Sequence, residues 1–432
     1  MRKLKKGLSP IRVIALGFVA VILIGSLLLC LPISIRDGRS IRYIDSLYTA
    51  TSAVCVTGLS VFDTGTTFTA IGQFFIAVMI QIGGLGVAAI GTGLILAMGK
   101  KVRLSERNML REAMNLSSVA GIVKYIKSVF LTTVIFELSG ALLCLPIFLK
   151  QYPPIKAIGI SLFHAVSAFN NAGFDVLGSG DSLMRYNGNF MLNAVTCVLI
   201  VFGGIGFLVT HELIGKKLRW KKLSMHSKIV LTVTAVLIAG GALVFKLTES
   251  MTWLEAVFQS VTARTAGFST YPISSFSNAG LIVMCLLMFV GASSGSTGGG
   301  IKTTTLYTLL QGIKTSATNK SEKAFRYSLP PEAFRKAAVI AATGLFVVIL
   351  GAFSLTLTDP EVPMRDALFE TVSAFSTAGL STGITGGLST GGKLISIVLM
   401  YIGRLGPLTI ASLWYFTNGE RIRYPEGNIS IG

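Results

Sequence analysis

Charge is what this sequence has least of. Only 13% of its 432 residues are Asp, Glu, Lys or Arg, about half the share found in soluble domains, and acids (19) are outnumbered two to one by bases (38). So few charged groups cannot cover a water-facing surface, which excludes a soluble globular protein. Disorder is excluded too, because 52% of the residues are hydrophobic and mean hydropathy is +0.70. Histidine is nearly absent, and His164, His211 and His226 share no metal-ligand spacing. Five scattered cysteines (Cys30, Cys55, Cys144, Cys197, Cys285) include no Cys-x-x-Cys pair, which argues against disulfides or a thiolate metal site. Thinly spread acids with no His-Asp or Glu-x-x-His set supply no acid–base constellation, so no enzyme is expected.

What the chain does have is apolar runs of bilayer-spanning length, about 20 residues each. They lie near 11–34, 70–98, 124–149, 190–214, 228–248, 280–312, 334–357 and 393–417. The first exceeds a signal-peptide core and no small-residue cleavage site follows, so it is expected to remain as a span. The net charge of +19 then sorts by position. Arg2, Lys3, Lys5, Lys6 and Arg12 precede the first span, further bases fill 100–127, 216–228 and 302–336, and Arg421 and Arg423 follow the last. Twenty-seven of the 38 bases therefore fall on alternate connections, which the positive-inside rule makes cytoplasmic, with both termini inside a plasma membrane. No basic stretch is interleaved with aromatics as a single-strand groove requires, so nucleic acid is not an expected partner. Membrane lipid is, since the loops at 100–127 and 216–228 are basic and partly amphipathic.

One unit recurs four times. Cys30-Leu31-Pro32 returns as Cys144-Leu145-Pro146, and between the spans of each pair lies a half-apolar stretch ending at Gly58, Gly173, Gly267 or Gly379. A small residue precedes each of these glycines and Leu or Phe follows; six positions earlier stand Ser52, Ser167 and Ser373, with Val261 in the third copy. A second cluster follows each, GGLG at 83–86, GGIG at 203–206, GASSG at 291–295 and GRLG at 403–406. The expected fold is an all-α integral membrane protein of four span, re-entrant helix, loop, span units in pseudo-fourfold array: eight transmembrane helices and four pore helices around one pore. The repeats divide at 1–99, 100–217, 218–318 and 319–432, the last carrying a C-terminal tail, Asn418–Gly432. Irregular backbone at membrane depth survives only where protein or a water-filled cavity surrounds it, and four such loops can enclose an axis. Each repeat contains two crossings, so successive units keep one orientation, unlike the inverted repeats of many carriers.

A dehydrated cation needs rings of oxygen ligands, and glycine permits the dihedrals that aim carbonyls at it. The candidate linings are Val54, Cys55, Val56, Thr57 and Gly58; Phe169, Asn170, Asn171, Ala172 and Gly173; Ala263, Arg264, Thr265, Ala266 and Gly267; and Phe375, Ser376, Thr377, Ala378 and Gly379. No acidic ring stands there, which favours a monovalent cation over a divalent one. Arg264 is expected behind its loop, paired with Glu255, Asp366 or Glu370. Asn170 and Asn171 either brace their loop from behind or line the entrance. Glu137 sits inside the third span, where a carboxylate needs a partner or a role.

The sixth span is interrupted by Gly291, Ala292, Ser293, Ser294, Gly295, Ser296, Thr297, Gly298, Gly299 and Gly300. Five glycines in ten residues are poor helix formers. Ile301 separates Gly300 from Lys302 and no strand precedes, so this is no phosphate loop. A flexible intramembrane gate is expected. Arg404, within GRLG, either anchors on nearby carbonyls or stands as a barrier in the permeation path.

On the four filter glycines and this loop, the sequence resembles the Trk/Ktr/HKT potassium transporters over nearly its whole length, specifically the membrane subunit of the KtrB/KtrD type. The resemblance implies potassium uptake through four M1–P–M2 units, a homodimer with one pore per subunit, and Arg404 as part of the gate. It further implies a cytoplasmic nucleotide-binding RCK ring (KtrA/KtrC type) that controls the loop, so that nucleotide acts only through the partner. Serine in place of the first filter glycine accompanies sodium transport in plant relatives; Gly58 points to potassium. Sodium dependence, and a monovalent cation carrier with sodium or mixed selectivity as the second reading, stay open.

Overall fold

A computed structural model describes residues 9–114, 118, 120–178, 180–318, 323–330, 332–407 and 409–410. The basic residues at 2–6, Arg421 and Arg423, and the Asn418–Gly432 tail lie outside them. Apart from one short turn of helix at Thr64–Thr67, the α-helices in chain order are α1 (Pro10–Cys30), α2 (Tyr43–Cys55), α3 (Ala70–Leu85), α4 (Val87–Ala97), α5 (Leu104–Ala113), α6 (Ile122–Phe148), α7 (Pro154–Phe169), α8 (Phe190–Gly204), α9 (Phe207–Gly215), α10 (Met225–Thr248), α11 (Trp253–Thr262), α12 (Asn278–Phe289), α13 (Thr303–Thr318), α14 (Ala333–Thr358), α15 (Met364–Ser376) and α16 (Thr390–Leu405). A two-residue hairpin pairs Lys323–Ala324 with Tyr327–Ser328.

The first helix of each repeat is long. α1, α6, α10 and α14 have 21, 27, 24 and 26 residues, about 31–40 Å at 1.5 Å per residue, enough to cross a hydrocarbon core of about 30 Å. Leu131, Leu142, Phe346 and Leu357 stand exposed along them, apolar surface that water would not tolerate and lipid would. The second helix of each repeat, α2, α7, α11 and α15, is short and largely buried. The third returns under a side-chain cap: Thr69, Asn189, Ser277 and Ser389 accept from the backbone nitrogens of Gly72, Leu192, Gly280 and Gly392 at 3.2, 3.0, 3.1 and 3.1 Å. In the last two repeats a carboxylate at the end of the long helix holds that cap, Glu249 on Ser277 and Asp359 on Ser389.

Two of the expected spans are not straight. The 70–98 run breaks at Gly86 (φ +88°) and the 190–214 run at Gly206 (φ +92°), turning α4 and α9 by 101° and 103° from α3 and α8. Both glycines close the second glycine cluster of their repeat, and the same position in the fourth, Gly406, also has positive φ (+89°). Such dihedrals are open to glycine and strained for side chains. The sixth run is interrupted where expected, between α12 and α13.

The repeats close into a ring. α3 packs on α7, α8 on α11, α12 on α15, and α16 back on α2, so each returning helix supports the short helix of the next repeat and the fourth supports the first. The fold is therefore a helical membrane bundle of repeated M1–P–M2 units.

Candidate functional site

The four short helices end in one backbone pattern. In every repeat the residue two before the glycine is left-handed: Val56 (φ +58°), Asn171 (+58°), Thr265 (+69°) and Thr377 (+52°). The glycines follow at +97°, +69°, +82° and +82° for Gly58, Gly173, Gly267 and Gly379. The intervening residue is tied back to the helix, with Thr57 N donating to Ser52 O (2.8 Å), Ala172 N to Ser167 O (2.7 Å) and Ala378 N to Ser373 O (2.8 Å). In the third loop, where Val261 replaces that serine, Ala266 N reaches Thr262 O at 2.9 Å instead. The Leu or Phe after each glycine, Leu59, Phe174, Phe268 and Leu380, is a buried anchor, worth about 1.5–3 kcal/mol each by area.

These turns bring the four glycines together. A Cβ on Gly58 would stand 2.6 Å from the Ala172 carbonyl oxygen, one on Gly173 2.7 Å from that of Ala266, and one on Gly267 3.0 Å from that of Ala378. One on Gly379 would collide with the Thr57 carbonyl, which completes the circuit. No side chain fits, and each glycine lies against a backbone carbonyl of the next loop. Outside this ring lies a cavity of about 450 Å³ walled by all four glycines together with Asp63, Asp175 and Asp181. Burial pushes the Asp175 carboxyl up to about 6, against the Leu177 N–H that stabilises its charged form, and Asp63 and Asp181 push it the same way as burial.

The second glycine clusters have two physical uses. Their first glycines let a returning helix touch the end of the short helix: a Cβ on Gly83, Gly203 or Gly403 would strike the carbonyl of Val54, Phe169 or Phe375, in each case four residues before the loop glycine. Their last glycines make the bends described above.

The 291–300 segment touches the second and fourth repeats as well as its own. Ser293 N and Thr297 N donate to Gly204 O (2.9 Å) and Gly203 O (3.3 Å), and Phe207 N donates to Gly295 O (3.1 Å). Gly299 N donates to Thr377 Oγ1 at 3.0 Å, and a Cβ on Gly298 or Gly299 would strike Thr265 or Thr377. With Thr297 Oγ1 also donating to Phe169 O at 3.4 Å, the segment lies directly against three of the four loops. A second cavity, about 350 Å³, has Gly295, Ser296, Gly298, Lys302 and Arg404 in its wall and none of the four loop glycines. Lys302, which the sequence reading passed over, donates to Gly298 O (2.7 Å) and Gly299 O (3.2 Å).

Arg404 anchors on carbonyls and does so on the segment itself. Its guanidinium bonds Thr297 O, Gly83 O and, at 3.1 Å, Gly84 O, while also lining the second cavity. Arg264 is buried, and among the described residues no carboxylate meets it. Its Nη2 donates to Gly291 O at 3.1 Å, because the expected acids are engaged elsewhere: Glu255 by Thr252 and Asn187, Asp366 by Arg365, and Glu370 by Ser381 and Thr385. Asn170 turns behind its loop to Gln81 and Glu137 (2.8 and 2.9 Å), which supplies the missing partner of Glu137. The Asn171 side chain is buried with no partner for either polar atom among the described residues.

A family model described as a cation transport protein, TrkH, matches residues 11–249 and 218–416. The Ktr system potassium uptake protein B of Bacillus subtilis (strain 168) is 41% identical over 437 residues, covering 98% of this chain and 97% of that protein. The potassium/sodium uptake protein NtpJ of Enterococcus hirae is 40% identical, covering 100% and 99%. The crystal structure of the potassium transporter TrkH from Vibrio parahaemolyticus superposes with a TM-score of 0.75 at 19% identity, over 96% of this chain and 87% of that one, a likeness of fold. With matches of this extent on both counts, the chain is a multi-pass membrane transport protein, not an enzyme, and belongs to the TrkH family of cation transport proteins.

Proposed function

We propose that this chain is the ion-conducting subunit of a potassium uptake system in the plasma membrane. The observation that carries the reading is the circuit of Gly58, Gly173, Gly267 and Gly379, each lying against the preceding carbonyl of the next loop. Backbone carbonyls at four-way convergence replace the hydration shell of a monovalent cation, and the short helices aim their negative ends at the same place. The lining is 54–58, 169–173, 263–267 and 375–379, and potassium is the bound ion.

The 291–300 segment is the gate in this reading, held closed beneath the filter by Arg404 and Lys302. A homodimer and a cytoplasmic nucleotide-binding RCK ring complete the assembly. The name of the Bacillus subtilis relative, a protein of a "Ktr system", supports a separate partner. Both termini lie in the cytoplasm, on the side of the basic loops. The four repeats at 1–99, 100–217, 218–318 and 319–432 are the pseudo-symmetric units.

A second reading, sodium or mixed selectivity, draws on the name of the Enterococcus hirae relative, a potassium/sodium uptake protein at 40% identity. One experiment separates them. Growth of a potassium-uptake-deficient cell, and isotope uptake by it, are measured with and without the partner ring and with and without sodium. Rescue at low potassium by this chain supports the first reading; sodium influx that matches potassium influx supports the second.

A further inference from the structure

Behind the second loop is a polar brace that, among the described residues, has no like network at the matching positions of the other three loops, Cys55, Arg264 and Ser376. Asn170 ends α7 three residues before Gly173, and its Nδ2 reaches Glu137 Oε1 at 2.9 Å, Gln81 Oε1 at 2.8 Å and Val166 O at 2.9 Å. Gln81 Nε2 closes the triangle on Glu137 Oε2 at 3.4 Å. The three side chains come from three elements: α3 of the first repeat, and α6 and α7 of the second. At the matching positions of the third and fourth loops, Arg264 bonds a carbonyl and Ser376 Oγ has no partner among the described residues.

Glu137 lies near the middle of α6 among the exposed apolar residues Val134, Ile135 and Leu138, a place where an ionisable side chain is costly and needs a specific use. It is engaged there by two neutral amides, and no ion pair to it occurs among the described residues. What it does hold is the step of backbone that leads into the loop. Asn170 is followed by left-handed Asn171, and then by Ala172, whose carbonyl a Cβ on Gly58 would approach to 2.6 Å. Asn170 also fills the space beside Gly84, where a Cβ would strike its Oδ1, and Gly84 O in turn accepts from Arg404.

We infer that Glu137 is a positioning residue of the second loop: through Asn170 it fixes where the Ala172 carbonyl stands, and so sets the preference among monovalent cations. The inference rests on the potassium-uptake reading. Losing the Glu137 carboxylate strands Gln81 Nε2 without its acceptor and leaves Asn170 Nδ2 held only by Gln81 Oε1 and Val166 O, so the tie between Asn170 and α6 is gone and a part-buried amide is left to find a new partner. The brace acts on one loop of four, so its effect falls on discrimination between ions of different radius more than on whether ions pass.

The test uses the full chain in proteoliposomes, with potassium uptake competed by sodium and by rubidium. Glu137→Ala lowers the ratio of potassium to sodium uptake by about fivefold or more, and Glu137→Gln, which keeps an acceptor for Asn170, stays within about twofold of the parent. A ratio unchanged in Glu137→Ala overturns the inference, and so does an equal loss in Glu137→Gln. Gln81→Leu removes the other acceptor from α3 and decides the matter if Glu137→Ala fails to insert: a lowered ratio supports the brace, an unchanged one refutes it. The ratio is taken between the two cations that the parent carries most unequally. A parent that does not favour potassium therefore refutes the potassium reading and leaves the brace testable.

Discussion

Lys393 Nζ lies 2.7 Å from Asp45 Oδ1, with both side chains only 2% exposed. This ion pair ties α16, the last returning helix, to α2, the first short helix, and closes the ring of repeats. Removing one partner of a buried pair costs about 3–5 kcal/mol, since it strands the other charge, whereas replacing both by apolar groups is often neutral. Asp45 keeps Arg42 at 3.1 Å on its exposed side, which puts the loss toward the lower end. Lys393→Met is expected to lower the thermal unfolding midpoint of the purified protein by several degrees, and Lys393→Met with Asp45→Leu to restore most of it. An additive loss in the double variant would show that the pair does not act as a unit.

Gly58 has no room for a side chain beside the Ala172 carbonyl and sits at φ +97°. A non-glycine residue in the left-handed region costs roughly 1–2 kcal/mol even before the collision is relieved, and relief has to move the carbonyls of two loops. Gly58→Ser is expected to reduce potassium-over-sodium preference by about tenfold or more, read by competitive uptake. A preference that stays unchanged would remove the first loop from the filter.

How far these features could be read in advance depended on whether a residue type announces its conformation. Gly58, Gly173, Gly267 and Gly379 stood out because glycine at a repeated position marks a special dihedral. The equally left-handed Val56 and Thr377 did not, since β-branched residues seldom adopt that conformation and carry no mark of it. GGLG and GGIG were visible as clusters, yet nothing local distinguishes a helix that runs through Gly86 from one that bends there. The partners of Arg264 and Lys393 depend on the ring closing. Lys393 and Asp45 are 348 positions apart, and Arg264 meets a backbone carbonyl, a partner with no signature in sequence.

Arg404 ties the 291–300 segment to α3. Its guanidinium holds Thr297 O on the segment and Gly83 O and Gly84 O on α3. A hydrogen bond from a charged donor contributes about 1.5–3 kcal/mol, so its loss shifts a closed–open equilibrium by roughly tenfold or more. Arg404→Ala is expected to raise potassium flux measured without the partner ring, with normal amounts of inserted protein. Deletion of 292–299 is expected to act in the same direction and further. Flux that is unchanged or lower in both would show that the segment does not block the path.

The outer cavity carries its own pH dependence. Asp63, Asp175 and Asp181 line it beside the four glycines. Asp63 is occupied as the cap of Gly65 at 2.7 Å, and Arg185 stands 3.9 Å from Asp181. Asp175, with its carboxyl raised to about 6 by burial and by these two neighbours, changes charge near neutral pH. Above pH 6 it is ionised and draws cations toward the mouth; below pH 6 it is protonated and the cavity loses one negative charge. A unit charge about 8 Å away in a water-like medium is worth roughly 0.5 kcal/mol, or about twofold in local cation concentration. The apparent affinity for potassium is therefore expected to weaken about twofold as external pH falls from 7 to 5, with the midpoint near 6 and the effect reduced at high ionic strength. Asp175→Asn is expected to show the weaker affinity at both pH values and to flatten the titration. A titration of the same size in Asp175→Asn would place the responsible group elsewhere in the cavity.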